Sequence, residues 1–283
     1  MTKAILAAAA AILIVAPPGD AQEPPVRWQR RVEASVPPVT VFHSTQSANL
    51  ATAETLLKGE WLFEISHRFL PPLSGGADAL WGLDGPVFNR LGLSYAVSDR
   101  AMLSLVRSNL ADNVELGAKV RLLEGGRSAI PFMVAVNGGV AWNTQLPDVD
   151  GLEDNESQTY AQLVANALLG GRFAVGVSPT VLHNPRVDDV EAGNAFVLGL
   201  AGQLYLSEQA SVLAEWVVAG EREGLEHDAG TFGLELETGG HFFKLLLSNS
   251  ARMNPTQLLG GTPYAFNADE WRLGFNITRV LVF

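Results

Sequence analysis

Cysteine is absent from the 283 residues, which removes disulfide frameworks, thiolate metal centres and cysteine nucleophiles together. Charge is scarce: Asp, Glu, Lys and Arg make up 17% of the chain, against roughly 25% in an ordinary soluble domain. It is also one-sided, with 30 acidic and 19 basic residues and a formal net charge of -11. No basic cluster is longer than Arg30-Arg31, so nucleic acid is not expected as a partner. No HExxH, nucleophile elbow, phosphate loop or dinucleotide glycine motif occurs. Catalytic residues, metal ligands and cofactors are therefore not expected. After residue 21, only 128–147 approaches the uncharged length of a membrane helix. Pro131, Asn137, Gly138, Gly139 and Asn143 make it a poor one.

What the chain does have is apolar surface and glycine: 47% of residues are hydrophobic and 28 are glycine. High apolar content with little charge asks for an apolar environment outside the protein as well as inside. Lys3, the apolar run 4–16 and the Pro17-Pro18-Gly19 break read as an export signal over 1–21, cleaved after Ala21.

Beyond it, period two dominates. In 113–123, Val114, Leu116, Ala118, Val120 and Leu122 alternate with Asn113, Glu115, Gly117, Lys119 and Arg121. The segments 59–69, 129–143, 230–238 and 271–283 alternate in the same way. Weaker candidates are 87–97, 101–108, 159–169, 173–184, 194–205, 211–218 and 241–250. Segments of about 10 residues suit tilted strands that cross a bilayer, and an even count near 12 suits a closed barrel. The connections 70–86, 109–112, 144–158, 185–193, 219–229 and 251–270 alternate with turns at 98–100, 124–128, 170–172, 206–210 and 239–240. A soluble sandwich has no reason to sort its loops by end; an outer-membrane barrel has long external loops and short periplasmic turns. The expected fold is thus all-β: a closed antiparallel up-and-down transmembrane barrel over 59–283, in the bacterial outer membrane.

Trp61, Trp142, Trp271 and Phe283 fall near strand ends, where aromatic rings favour the membrane interface. Outer-membrane lipid is the expected partner of the greasy face. The last strand, with Phe275, Ile277, Leu281 and terminal Phe283 in one register, resembles the signal read by the barrel-insertion machinery, although Arg279 stands at a normally apolar position. Near a rim that arginine can snorkel.

Lys58-Gly59-Glu60-Trp61, Glu64-Ile65-Ser66-His67-Arg68-Phe69, Gly82-Leu83-Asp84-Gly85, Val97-Ser98-Asp99-Arg100, Thr238-Gly239-Gly240-His241 and Ser248-Asn249-Ser250 resemble an uncharacterised bacterial β-barrel family, domain of unknown function 5777. The resemblance runs from about Val39 onward. It implies a barrel and carries over no catalytic or ligand residue.

On this strand map the long connections hold most of the acidic residues, giving an acidic outer rim that gathers cations. The acidic run 148–156 lacks the EF-hand spacing. Wet-face positions carry both signs, and Glu64, Arg68, Arg90, Glu115, Lys119, Arg121, Glu235, Glu237 and Arg272 are expected to line the lumen. Adjacent Ser66 and His67 point to opposite faces of one strand and cannot pair as a nucleophile and its base. Residues 22–58 form a periplasmic or lumen-plugging segment: Pro24-Pro25 and Pro37-Pro38 exclude its first part from a central strand. Residues 39–45 are expected to enter the lumen from the periplasmic end, with His43, Ser44 and Thr45 against the wet-face charges. The leading expectation is a narrow, non-enzymatic pore or transporter for a small solute; the alternatives are a lipid-acting hydrolase and a structural barrel with a sealed lumen.

Overall fold

The computed structural model describes residues 39–126, 129–146, 156–188 and 193–283. The export signal, all of the acidic run 148–156 except Glu156, and the first part of the 22–58 segment lie outside the described residues.

Among the described residues, twelve strands form one closed antiparallel barrel in which each strand pairs with its sequence neighbours and the first pairs with the last. They are β1 (Trp61–Phe69), β2 (Val87–Ser98), β3 (Ala101–Ser108), β4 (Asn113–Gly125), β5 (Phe132–Asn143), β6 (Ser157–Leu169), β7 (Phe173–His183), β8 (Asn194–Tyr205), β9 (Ala210–Val218), β10 (Ala229–Glu237), β11 (His241–Ser248) and β12 (Arg272–Leu281). Closure satisfies the backbone of every strand and leaves no edge in lipid. The alternation of the sequence becomes an alternation of faces. Val114, Leu116, Val120, Phe232, Leu234, Phe275 and Ile277 point outward, while Glu115, Lys119, Glu235 and Asn276 are buried inside.

Two irregularities depart from strict period two. The β2–β3 register shifts between Ala96 and Ser98, and the β4–β5 register between Arg121 and Leu123, so Leu122 and Leu123 both face out. Of the connections expected to be long, 109–112 is instead a tight turn, with Ala111 and Asp112 at positive φ. The other five are the longest stretches between strands and all lie at one end. Both termini of the barrel lie at the other, short-turn end.

The interior is filled from both ends. Residues 39–56 run inside the barrel as a re-entrant hairpin. Its arms are tied by an antiparallel bridge between Gln46 and Ala51, and its tip turns through the Ser47 N–H bond to Leu50 O, 2.9 Å. Val39, Val41 and Phe42 pack on Met133, Ala135, Val164 and Ala174 near the short-turn end, where Leu56 meets Leu62, Ala96 and Met102. From the long-loop end, the β11–β12 connection folds inward and forms a short buried helix, α1 (Pro255–Leu259). Leu258 and Leu259 join Leu50, Tyr160, Leu182 and Val197 in one apolar cluster, so the two insertions meet in mid-barrel.

Candidate functional site: a doubly plugged lumen

The inward face of the barrel is polar, and its charges act mainly on the backbone of the hairpin. Lys119 donates from Nζ to the carbonyls of Thr45 and Thr52 at 2.6 and 2.9 Å. Lys244 donates to Gln46 O at 2.8 Å and to Ser47 O, lies 3.2 Å from the Ser44 hydroxyl, and pairs with Glu235 at 3.1 Å. Glu215 accepts the N–H groups of Asn49 and Leu50 at 2.8–3.0 Å. His43 Nδ1 is 3.2 Å from Glu235, and its ring lies 4.2 Å from that of Tyr205, whose hydroxyl donates to Val41 O at 2.7 Å. Charge-assisted bonds of this kind are the stronger ones, and each gives a buried charge the partner that burial demands. The hairpin also caps itself: Glu54 accepts the N–H groups of Val41 and Phe42 at 2.7 and 3.2 Å.

Arg90 touches both insertions. Nη2 donates to Gln46 Oε1 of the hairpin at 2.8 Å and to Glu64 at 2.7 Å; Nη1 donates to Met253 O of the inward loop at 2.6 Å. Glu115 holds α1 by accepting the backbone N–H and the hydroxyl of Thr256, at 3.1 and 3.0 Å. Between the hairpin, α1 and the β1–β6 wall remains a cavity of about 70 Å³, lined by Glu64, Arg90, Glu115, Lys119, Tyr160 and Gln162 among others. That is room for a few waters among polar partners.

All nine sequence-predicted lining residues lie on the inward face, at different heights. Glu64, Arg68, Arg90, Glu115, Lys119 and Glu235 surround the insertions. Arg121 bonds Asp99 O, and Glu237 accepts the Gly240 N–H, both at the short-turn end. Arg272 sits at the long-loop mouth, stacked on Tyr264 at 3.4 Å. His43, Ser44 and Thr45 lie in the lumen against Glu235, Lys244 and Lys119. The hairpin extends past Thr45 to residue 56. Glu215 and Lys244 stand at inward positions of β9 and β11; nothing in the local sequence ranks them above the other polar residues of those strands, or marks 255–259 as an inward helix.

On the outer face, His67 packs edge-on against Phe275 at 4.6 Å while Ser66 turns inward to Glu64 at 2.5 Å. His183 pairs with Asn194 at 3.0 Å. Its register partner on β6 is Thr159. Trp216, Phe232, Phe266 and Trp271 form an aromatic cluster at the long-loop end, and Trp61 packs on Tyr95 at the short-turn end. Two such bands suit the two interfaces of a bilayer. Arg279 points outward opposite Phe63 of β1, close to the short-turn rim.

A closed antiparallel barrel with a greasy outside, a charged inside and aromatic rims is a transmembrane β-barrel of the outer-membrane type. Its lumen is occupied by its own chain. The protein belongs to the family described as a membrane bound beta barrel domain, DUF5777, whose model matches residues 42–281 and so includes most of the lumenal hairpin. The chain is similar to the NanC porin, at 8% identity and TM-score 0.50 over 79% of this chain and 99% of that one. It is similar also to the COG4313 outer membrane channel from Pseudomonas putida F1, at 12% identity and TM-score 0.50 over 81% and 98% of the two chains. At these identities the likeness is one of fold. No curated protein matches the chain.

Proposed function

We propose that the protein is a non-enzymatic, gated pore for a small polar solute, with the hairpin 39–56 as its plug. The observation that carries this reading is the match between wall charges and hairpin backbone. A barrel sealed for good needs no buried Lys119, Lys244, Arg68 and Glu215; apolar side chains would fill it at lower desolvation cost. Charges whose partners belong to a tethered segment leave a wettable wall when that segment withdraws. The short-turn end is periplasmic by the usual asymmetry of such barrels, so the plug enters from the periplasm. The inward α1 then narrows the pore from outside, and the external loops give it an acidic rim that gathers cations. The hydrolase reading has little support, because neither His67 nor His183 has a serine hydroxyl among its contacts in the described residues. Planar-bilayer recording tests the pore. Deleting residues 22–54 should raise single-channel conductance while heat-modifiable mobility stays intact. Equal conductance of the deleted and full-length chains would overturn the plug.

A further inference from the structure

The tip of the hairpin is bound as a ligand would be. Asn49 directs its backbone N–H to both carboxylate oxygens of Glu215, at 2.9 and 3.0 Å, and its side-chain amide to Oε2 at 3.4 Å. The Leu50 N–H adds a further donor at 2.8 Å. On its other side, the Asn49 side-chain oxygen accepts from Nη2 of Arg68 at 2.7 Å. Glu215 and Arg68 are 5% and 1% exposed, so both charges have lost nearly all their water. They attract one another electrostatically, yet each reaches Asn49. The other bonds of Arg68 go to the neutral oxygens of His67, Phe275 and Asn276, and its Nε has no partner.

A neutral residue thus stands between a buried anion and a buried cation, with donors toward the first and an acceptor toward the second. The neighbouring cations Lys244 and Arg90 are already matched by Glu235 and Glu64. A carboxylate that gathers N–H donors suits an ammonium, and a guanidinium fork suits a carboxylate better than the single amide oxygen it now holds. We infer that Glu215 and Arg68 form a binding site for a small zwitterion of the amino-acid type, which replaces Asn49 with its ammonium on Glu215 and its carboxylate on Arg68. A simple anion would meet the Glu215 charge, and a simple cation that of Arg68. The inference rests on the proposed function in one respect: the hairpin must be able to withdraw.

The test is calorimetric titration of the purified full-length protein with glycine, and with glycinamide and acetate as probes of similar size that carry only one of the two charges. The tethered tip competes at an effective concentration on the order of millimolar. Asn49→Ala, which removes the amide from between the two charges, should therefore tighten glycine binding about ten-fold. Placed on that background, Glu215→Gln and Arg68→Gln should each weaken it about ten-fold or more. Should either fail to fold by heat-modifiable mobility, the three probes on Asn49→Ala decide alone. Glycine binding no tighter than its two analogues, or unmoved by Asn49→Ala, overturns the site. Glycine binding in a chain that conducts nothing after hairpin deletion leaves the site standing and refutes the pore; conductance without glycine binding does the reverse.

Discussion

Lys119→Met asks most directly whether wall charges hold the plug. The change removes two charge-assisted bonds, to Thr45 O at 2.6 Å and Thr52 O at 2.9 Å. Bonds to a charged partner are worth about 1.5–3 kcal/mol each, so the gross loss is roughly 3–6 kcal/mol. Two terms reduce it. Methionine spares the desolvation of a 5% exposed ammonium, and the adjoining 70 Å³ cavity, which Thr45 and Lys119 both line, lets water reach the bereft carbonyls. A net loss of about 2–3 kcal/mol remains, which shifts the ratio of plugged to unplugged protein roughly 30- to 150-fold. Open probability in planar bilayers should rise by that factor until it saturates, and Lys119→Arg should recover most of the closure. A Lys119→Met protein that folds, runs heat-modifiably and opens no more often than the parent would refute the reasoning.

Further substitutions separate the faces and the fit of the plug. Leu234→Arg, on the lipid side, should cost roughly 2–4 kcal/mol near the bilayer midplane, whereas Thr278→Arg, which points inward, should leave the urea midpoint of a chain lacking the hairpin (residues 22–54) nearer that of its own parent; equal losses on both faces would sink the register. Gly199→Val tests steric seating without touching charge, because a Cβ there lies 3.1 Å from both methyl carbons of Leu50 and closer still to the Ser178 hydroxyl. It should raise open probability, while Gly202→Ala, whose Cβ meets only Phe173 at 3.6 Å, should not.

Strands were legible because a two-residue period is written locally: in β4, Glu115, Lys119 and Arg121 mark one face and Leu116 and Val120 the other without reference to anything distant. The bulge at Leu122-Leu123 escaped notice because both residues are leucine, so an extra residue leaves the hydropathy pattern intact. The start of the plug was legible from prolines followed by Val39-Thr40-Val41-Phe42. Its continuation to residue 56 was not, since Lys119, Lys244 and Glu215 bind its backbone, and backbone groups carry no sequence signal. The inward α1 was hidden for a related reason: Thr256 meets Glu115 across 141 positions, and Pro-Thr-Gln-Leu-Leu reads equally well as an external loop.

The hairpin also bears on how the barrel is assembled. It touches β4 through Lys119, β6 through Asn166, β9 through Glu215, β11 through Lys244 and β12 through Asn276, and it runs straight into β1, one side of the closing seam. Contacts separated by 166 and 228 positions form late, because closing long loops costs entropy before any bond repays it. Both arms of the hairpin reach the short-turn end, so its tip can enter a finished ring without threading a chain end. The plug is then a late-seated part, and the ring can stand without it.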